Sequence, residues 1–169
     1  TGLRIGSATA KGLALALDKK IVSVPTVDAL AYNLWGSDAV ICPLMDARRN
    51  QVYTGLYQFE NGEMQTIEGQ CVVMIDEIVE KINALGKAVV FLGDGVPVFR
   101  DYLEENVSVD HRYAPASMNK QRAASVACLG AILAKAGKVE EARDHKPEYL
   151  RVSQAERERQ EKERDFKIC

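Results

Sequence analysis

The run of elements between residues 39 and 136 limits what this chain can fold into more than any other feature. AVICPLMD (39–46), QVYTGLYQF (51–59) and EMQTIEGQCVV (63–73) are rich in β-branched and aromatic residues, the composition of strands on a half-buried sheet. The first two runs are joined by residues 47–50, the second pair by Glu60-Asn61-Gly62, and Asn-Gly favours the left-handed backbone of a tight hairpin. The period then changes. In IDEIVEKINAL, residues Ile75, Ile78, Val79, Ile82 and Leu85 share one face of a helix. AVVFLG (88–93) reads as a buried strand, VPVFRDYLEE (96–105) as a short helix and VSVDHRYA (107–114) as a strand. RAASVACLGAILAKAG (122–137) reads as a helix built largely of small residues. The sequence therefore predicts three strands in a meander, followed by helix, strand, helix, strand, helix.

The segment ahead of the meander has a different organisation. Residues 3–19 predict a helix with a narrow polar stripe of Arg4, Ser7, Lys11 and Asp18. One apolar stripe (Leu3, Gly6, Ala10, Leu13, Leu17) and another (Ile5, Ala8, Gly12, Leu15) lie beside it. A helix that is apolar or small over most of its circumference needs cover on two sides, either within its own domain or from a partner helix. Residues 21–25, IVSVP, predict a buried strand, and Thr26 or Asp28 is placed to cap a short helix ending near Trp35 and Gly36. This helix–strand–helix fits the closing part of an α/β unit. The meander-first order after it is that of the ribonuclease-H-like module, used twice in the actin, hexokinase and Hsp70 superfamily. The expected fold is therefore α/β, of the actin-like ATPase (ASKHA) type. It comprises the end of a truncated first lobe (residues 1–36), a complete second lobe (37–136), and a C-terminal segment with a charged tail (137–169). The chain starts at Thr1 and enters a helix at once, so an N-terminal cut is expected, with apolar surface bared at Leu13, Leu17 and Val22 unless something covers it. In the tail, PEYLRVS reads as extended, and QAERERQEKERDFK as a solvated helix or frayed end.

Composition narrows the function classes. The 169 residues are 47% hydrophobic and 27% charged, enough for a full domain with a real core. No apolar run approaches the ~20 residues of a membrane span, and no targeting segment is read, so a cytoplasmic location is expected. A net charge of −2 argues against a chain that grips RNA by itself. Cys42, Cys71, Cys128 and Cys169 lie far apart with no C-x-x-C spacing and read as buried free thiols. His111 and His145 have no histidine at helical spacing, so no zinc site is expected. Ser7, Ser117 and Ser125 lack a nucleophile-elbow context. Two turns retain the outline of a nucleotide site. Asp46-Ala47-Arg48-Arg49-Asn50 occupies the hairpin where backbone amides would cradle a phosphate. It contains no glycine and offers two bulky cations, suited to a phosphate or to carboxylates and a partner surface. Gly93-Asp94-Gly95 follows a buried strand. It reads either as an adenosine-side loop or as a tight strand-to-helix connection.

Three stretches resemble the TsaB (YeaZ) family: TGLRIGSATAKGLA at 1–14, PLMDARRNQVY at 43–53 and PEYLRVSQAER at 147–157. Their order and spacing cover nearly the whole chain. The family's Gly-Pro-Gly-Ser-Phe turn and acidic Asp-Thr-Ser opening are not in this sequence. The resemblance implies a non-catalytic scaffold, without cofactor or metal. Such a subunit works beside a paralogue, TsaD, which transfers a threonylcarbamoyl group to the adenosine next to the anticodon of tRNAs reading A-starting codons. A small ATPase, TsaE, joins the assembly, a homodimer forms in isolation, and tRNA is met only indirectly. Arg4, Gly6, Ser7, Ala10, Lys11, Leu13 and Ala14 become the expected partner-facing positions. Asp46, Arg48, Arg49, Gly93, Asp94 and Gly95 become a vestigial phosphate or partner site. The alternative is an ATPase, kinase or glycoprotease-like enzyme of the same fold.

Overall fold

In the computed structural model, which describes residues 2–151, two turns set the meander. Asn61 and Gly62 take φ of 52° and 82° and close the hairpin between β2 (Gln51–Glu60) and β3 (Glu63–Met74). Three successive residues, Arg48, Arg49 and Asn50, also take positive φ and return β1 (Val40–Asp46) into β2. β4 (Val89–Leu92) runs parallel to β1, and β5 (His111–Tyr113) runs parallel to β4. The sheet order β3-β2-β1-β4-β5, antiparallel on the meander side and parallel on the other, is the ribonuclease-H-like arrangement read from the sequence.

Strand alternation sends side chains to two cores. On one face, Val40, Cys42, Leu44 and Phe91 meet Ile78 and Ile82 of α3 (Ile75–Leu85) and Phe99 and Leu103 of α4 (Val96–Asn106). On the other, Ile41, Tyr57, Val90 and Leu92 meet Val27 and Leu30 of α2 (Thr26–Ala31), and α5 (Ala123–Lys135) packs against α2. α2 is fixed to the sheet by a partly buried bond, the Tyr57 hydroxyl donating to Asp28 Oδ1 at 2.6 Å. Gly55 makes room for that ring, since a Cβ there would lie 2.6 Å from the Tyr57 oxygen. Burial raises the Asp28 carboxyl above its ordinary pKa, and burial together with the Asp28 bond holds the Tyr57 phenol well above its own.

Four sequence expectations are corrected. Residues 21–25 form no strand among the described residues: only Ile21 pairs, in an isolated bridge to Glu140, because no second neighbouring strand completes a ladder. Neither Thr26 nor Asp28 caps α2; Pro25 stands at the cap position and Asp28 is spent on Tyr57. Cys128 is exposed and Cys71 half-buried, because α5 buries only Ser125 and Leu129 and turns Cys128 outward; Cys42 alone of the three described thiols is buried. Val22 is half-buried, whereas Leu13 and Leu17 are exposed as expected. The charged stretch 154–167 lies outside the described residues. No helix among the described residues is long and apolar enough to cross a membrane.

Candidate functional site

α1 (Gly2–Ala16) is oriented opposite to an ordinary surface helix. Its polar stripe faces its own chain and its apolar stripes face outward. Lys11 Nζ donates to the carbonyls of Arg143 at 3.1 Å and His145 at 2.9 Å, and Arg4 Nε donates to the Tyr149 hydroxyl at 3.2 Å. Ala14 is the one residue of the helix that is buried. Leu3, Ile5, Leu13 and Leu15, with Leu17 just beyond the helix, are 57–65% exposed. Gly6, Ser7 and Ala10 line a cleft of about 650 Å³ between α1, residues 21–26 and the C-terminal segment. Of the seven residues read as partner-facing, Gly6, Ala10 and Leu13 are therefore open. Ser7 is half-buried in the cleft, and Arg4, Lys11 and Ala14 are engaged by the chain itself.

The second predicted group is brought together at the C-terminal ends of β1 and β4. Asp46 Oδ1 accepts the Arg48 backbone N–H at 2.8 Å, and Asp46 Oδ2 lies 3.1 Å from the Arg48 guanidinium. Asp94 Oδ1 accepts the Asp46 backbone N–H at 3.3 Å. The Arg48 side chain is 85% exposed against 13% for Asp46, so the pair is screened and contributes little to stability. Gly93 and Gly95 are required by the neighbouring strand. A Cβ at Gly93 would lie 2.1 Å from the Leu44 carbonyl oxygen, one at Gly95 would lie 2.9 Å from it, and the Gly95 N–H donates to that same oxygen. The close approach that glycine permits here is taken up by β1 rather than left open to a phosphate.

One cluster was not singled out by sequence reasoning. Ser23, Glu140 and His145 converge, with Ser23 Oγ 2.5 Å and His145 Nδ1 2.9 Å from Glu140 Oε1, and Ser23 Oγ 3.2 Å from the same Nδ1. A hydroxyl activated by imidazole needs the serine on one ring nitrogen and the carboxylate on the other. Here a single nitrogen meets both, which makes a structural clasp. The Ser23 hydroxyl, followed by His145, holds Glu140 below the ordinary carboxylate range. Burial pushes the Cys42 thiol up to about 12, so it is no nucleophile at neutral pH. Sequence reasoning also missed that the 147–151 segment reaches α1 through Tyr149. Its extended, semi-apolar character was legible, but nothing in the period of either segment shows that they meet.

Comparison with known proteins adds the following. A family model described as TsaD, tRNA N6-adenosine threonylcarbamoyltransferase, matches residues 1–159. The chain is 35% identical over 159 residues to the tRNA threonylcarbamoyladenosine biosynthesis protein TsaB of Bacillus subtilis (strain 168), covering 92% of this chain and 66% of that protein. It is 30% identical over 109 residues to the protein of the same name from Escherichia coli (strain K12), covering 63% of this chain and 47% of that one. The chain thus spans about two thirds of the length of the first relative and about half of the second. Among solved structures, an uncharacterized protein with similarity to peptidase YEAZ from Pseudomonas aeruginosa superposes with a TM-score of 0.73 at 26% identity, covering 89% of this chain and 68% of that one. YeaZ from Pseudomonas aeruginosa gives 0.69 at 25% identity, with 88% and 69% coverage.

Proposed function

Since this chain belongs to the TsaB (YeaZ) family, we propose that it is a non-catalytic docking subunit of tRNA threonylcarbamoyladenosine biosynthesis. In this reading it pairs with a TsaD-type paralogue that performs the transfer, and a TsaE-type ATPase joins the pair. The tRNA is held mainly by the partner, in line with this chain's net charge of −2. Without the paralogue, the same surface pairs two copies of the chain.

The observation behind this reading is the inverted helix. α1 spends its cations on its own backbone carbonyls and leaves leucine and isoleucine side chains on two sides in water. Exposed apolar surface of this kind calls for cover, from a partner or from the third of the first relative's length that this chain does not span. The docking positions are then Gly6, Ala10 and Leu13, from the original set, joined by Ile5 and Leu15. Glycine and alanine on such a face allow helix backbones to approach closely.

Gly6→Leu and Ala10→Trp test this directly. A Cβ on Gly6 meets nothing within 4 Å, so substitution there changes the surface and not the packing of the chain itself. Both variants are expected to abolish capture of the TsaD-type paralogue while the second lobe keeps its circular dichroism and cooperative melting. Unchanged capture by both would show that α1 is not the docking face. Tight ATP binding by the isolated chain would instead favour the kinase reading of the fold.

A further inference from the structure

Among the described residues, each side-chain hydrogen bond that α1 makes beyond itself ends on residues 143–149: Lys11 on the Arg143 and His145 carbonyls, and Arg4 on the Tyr149 hydroxyl. That segment is held at other points along its length. Ile21 and Glu140 exchange both backbone hydrogen bonds at 2.9 Å, and the Glu140 carboxylate accepts the Ser23 hydroxyl beside His145. Gln70 of β3 donates to Glu148 at 2.9 Å, and Arg151 donates to the Ala47 carbonyl in the β1–β2 turn. Residues 140–151 therefore cross from α1 to the edge of the sheet and on to the turn carrying Arg48 and Arg49.

We infer that residues 140–151 are a strap that positions α1, with Lys11 as its principal anchor, so that Lys11 and Arg4 orient the docking face and do not themselves touch the partner. This rests on the reading of α1 as that face. Lys11 is the stronger anchor because one ammonium satisfies two carbonyls of irregular backbone, which would otherwise need water. Beyond the strap, the helix continues into the chain at Asp18, which sits at φ 50°, and residues 19–20 are exposed. A helix of 15 residues is a rod about 22 Å long. Released from the strap, it would keep none of the side-chain hydrogen bonds that hold it to residues 143–149. A partner binding the freed helix must then order it, and that entropy is subtracted from the affinity.

The test compares Lys11→Met, which keeps the apolar stem but removes the donors, with Lys11→Arg and Leu15→Glu. Two readouts are taken: amide hydrogen exchange across 143–149, and affinity for the TsaD-type paralogue. Lys11→Met is expected to speed exchange in the strap and weaken binding about tenfold, the size expected from losing one or two such bonds. Lys11→Arg should retain both properties. Leu15→Glu should weaken binding with strap exchange unchanged. Weakened binding without faster exchange in Lys11→Met would mean that Lys11 meets the partner directly, and faster exchange with full affinity would mean that the strap positions nothing. Either result overturns the inference. If Leu15→Glu binds normally, α1 is not the docking face, and the strap's role falls with that reading.

Discussion

Replacing Gly93 by alanine asks most directly what the Gly93-Asp94-Gly95 turn is for. Gly93 sits at φ 114°, where an L side chain is strained, and its Cβ would overlap the Leu44 carbonyl oxygen at 2.1 Å. That oxygen is part of β1 and accepts the Gly95 N–H at 2.9 Å, and the Gly93 N–H is itself bonded to the Asn119 side chain. Strain at such a position costs about 1–3 kcal/mol, and displacing the two hydrogen bonds about 1 kcal/mol each, so the loss should be roughly 3–5 kcal/mol. With a urea m-value near 2 kcal/mol/M, the unfolding midpoint should fall by about 2 M. Asp94→Ala provides the contrast: it removes only a long bond to the Asp46 N–H and should cost no more than about 1 kcal/mol. Equilibrium urea unfolding of both variants decides the matter. A loss below about 1 kcal/mol for Gly93→Ala would refute the claim that the glycines serve the strand crossing. A larger loss of partner binding than of stability in Asp94→Ala would give the turn back to function.

Two further outcomes follow from the same geometry. Gly12 lies inside α1 with nothing within 4 Å of where a Cβ would stand, so Gly12→Ala should stabilise the helix by about 0.5–1 kcal/mol, read as slower amide exchange across α1. Glu140 is held below its ordinary pKa by Ser23 and then His145, so its contribution to the strap is present above the unfolded glutamate value of about 4.3 and is lost as pH falls through the lower folded value. Protection of the amides at residues 140–145, relative to their intrinsic exchange rates, should therefore fall at acid pH before that of the sheet. Asp28, whose pKa is raised by burial, has the opposite sign: protonation relieves its burial cost, so the Asp28–Tyr57 contact should not be what acid loosens first.

The second lobe was legible because its signals are local. The 3.6-residue period of IDEIVEKINAL gives α3 with its observed bounds, Ile75–Leu85, and Asn61-Gly62 takes the left-handed conformation that its composition demands. The β1–β2 turn was placed correctly. Its conformation was not legible, since no residue in Arg48-Arg49-Asn50 prefers three successive positive φ angles except asparagine. Residues 21–25 failed for a different reason. Apolar, β-branched composition records fitness for a sheet, while strand formation requires a neighbour to accept the ladder, and only Glu140 supplies one rung. The candidate site was half legible: the stripes of α1 were read with the right members, while the contact of Arg4 and Lys11 with residues 143–149 is a long-range one that no period records.

The facing of these stripes has a physical cause which sequence period alone does not contain. A polar stripe is assigned to solvent because water is the usual partner for charge, and an apolar stripe to the core because the core is the usual escape from water. Both assignments assume that what lies beneath a helix is apolar. Beneath α1 lies irregular backbone, residues 143–149, whose carbonyls must find donors. Arg4 and Lys11 meet this segment as hydrogen-bond donors, and the leucines lie on the other sides of the helix. A helix so placed gains little from its own burial, with Ala14 its one buried residue. What its outward faces gain must come from another surface, be it a partner or the third of the first relative's length that this chain does not span.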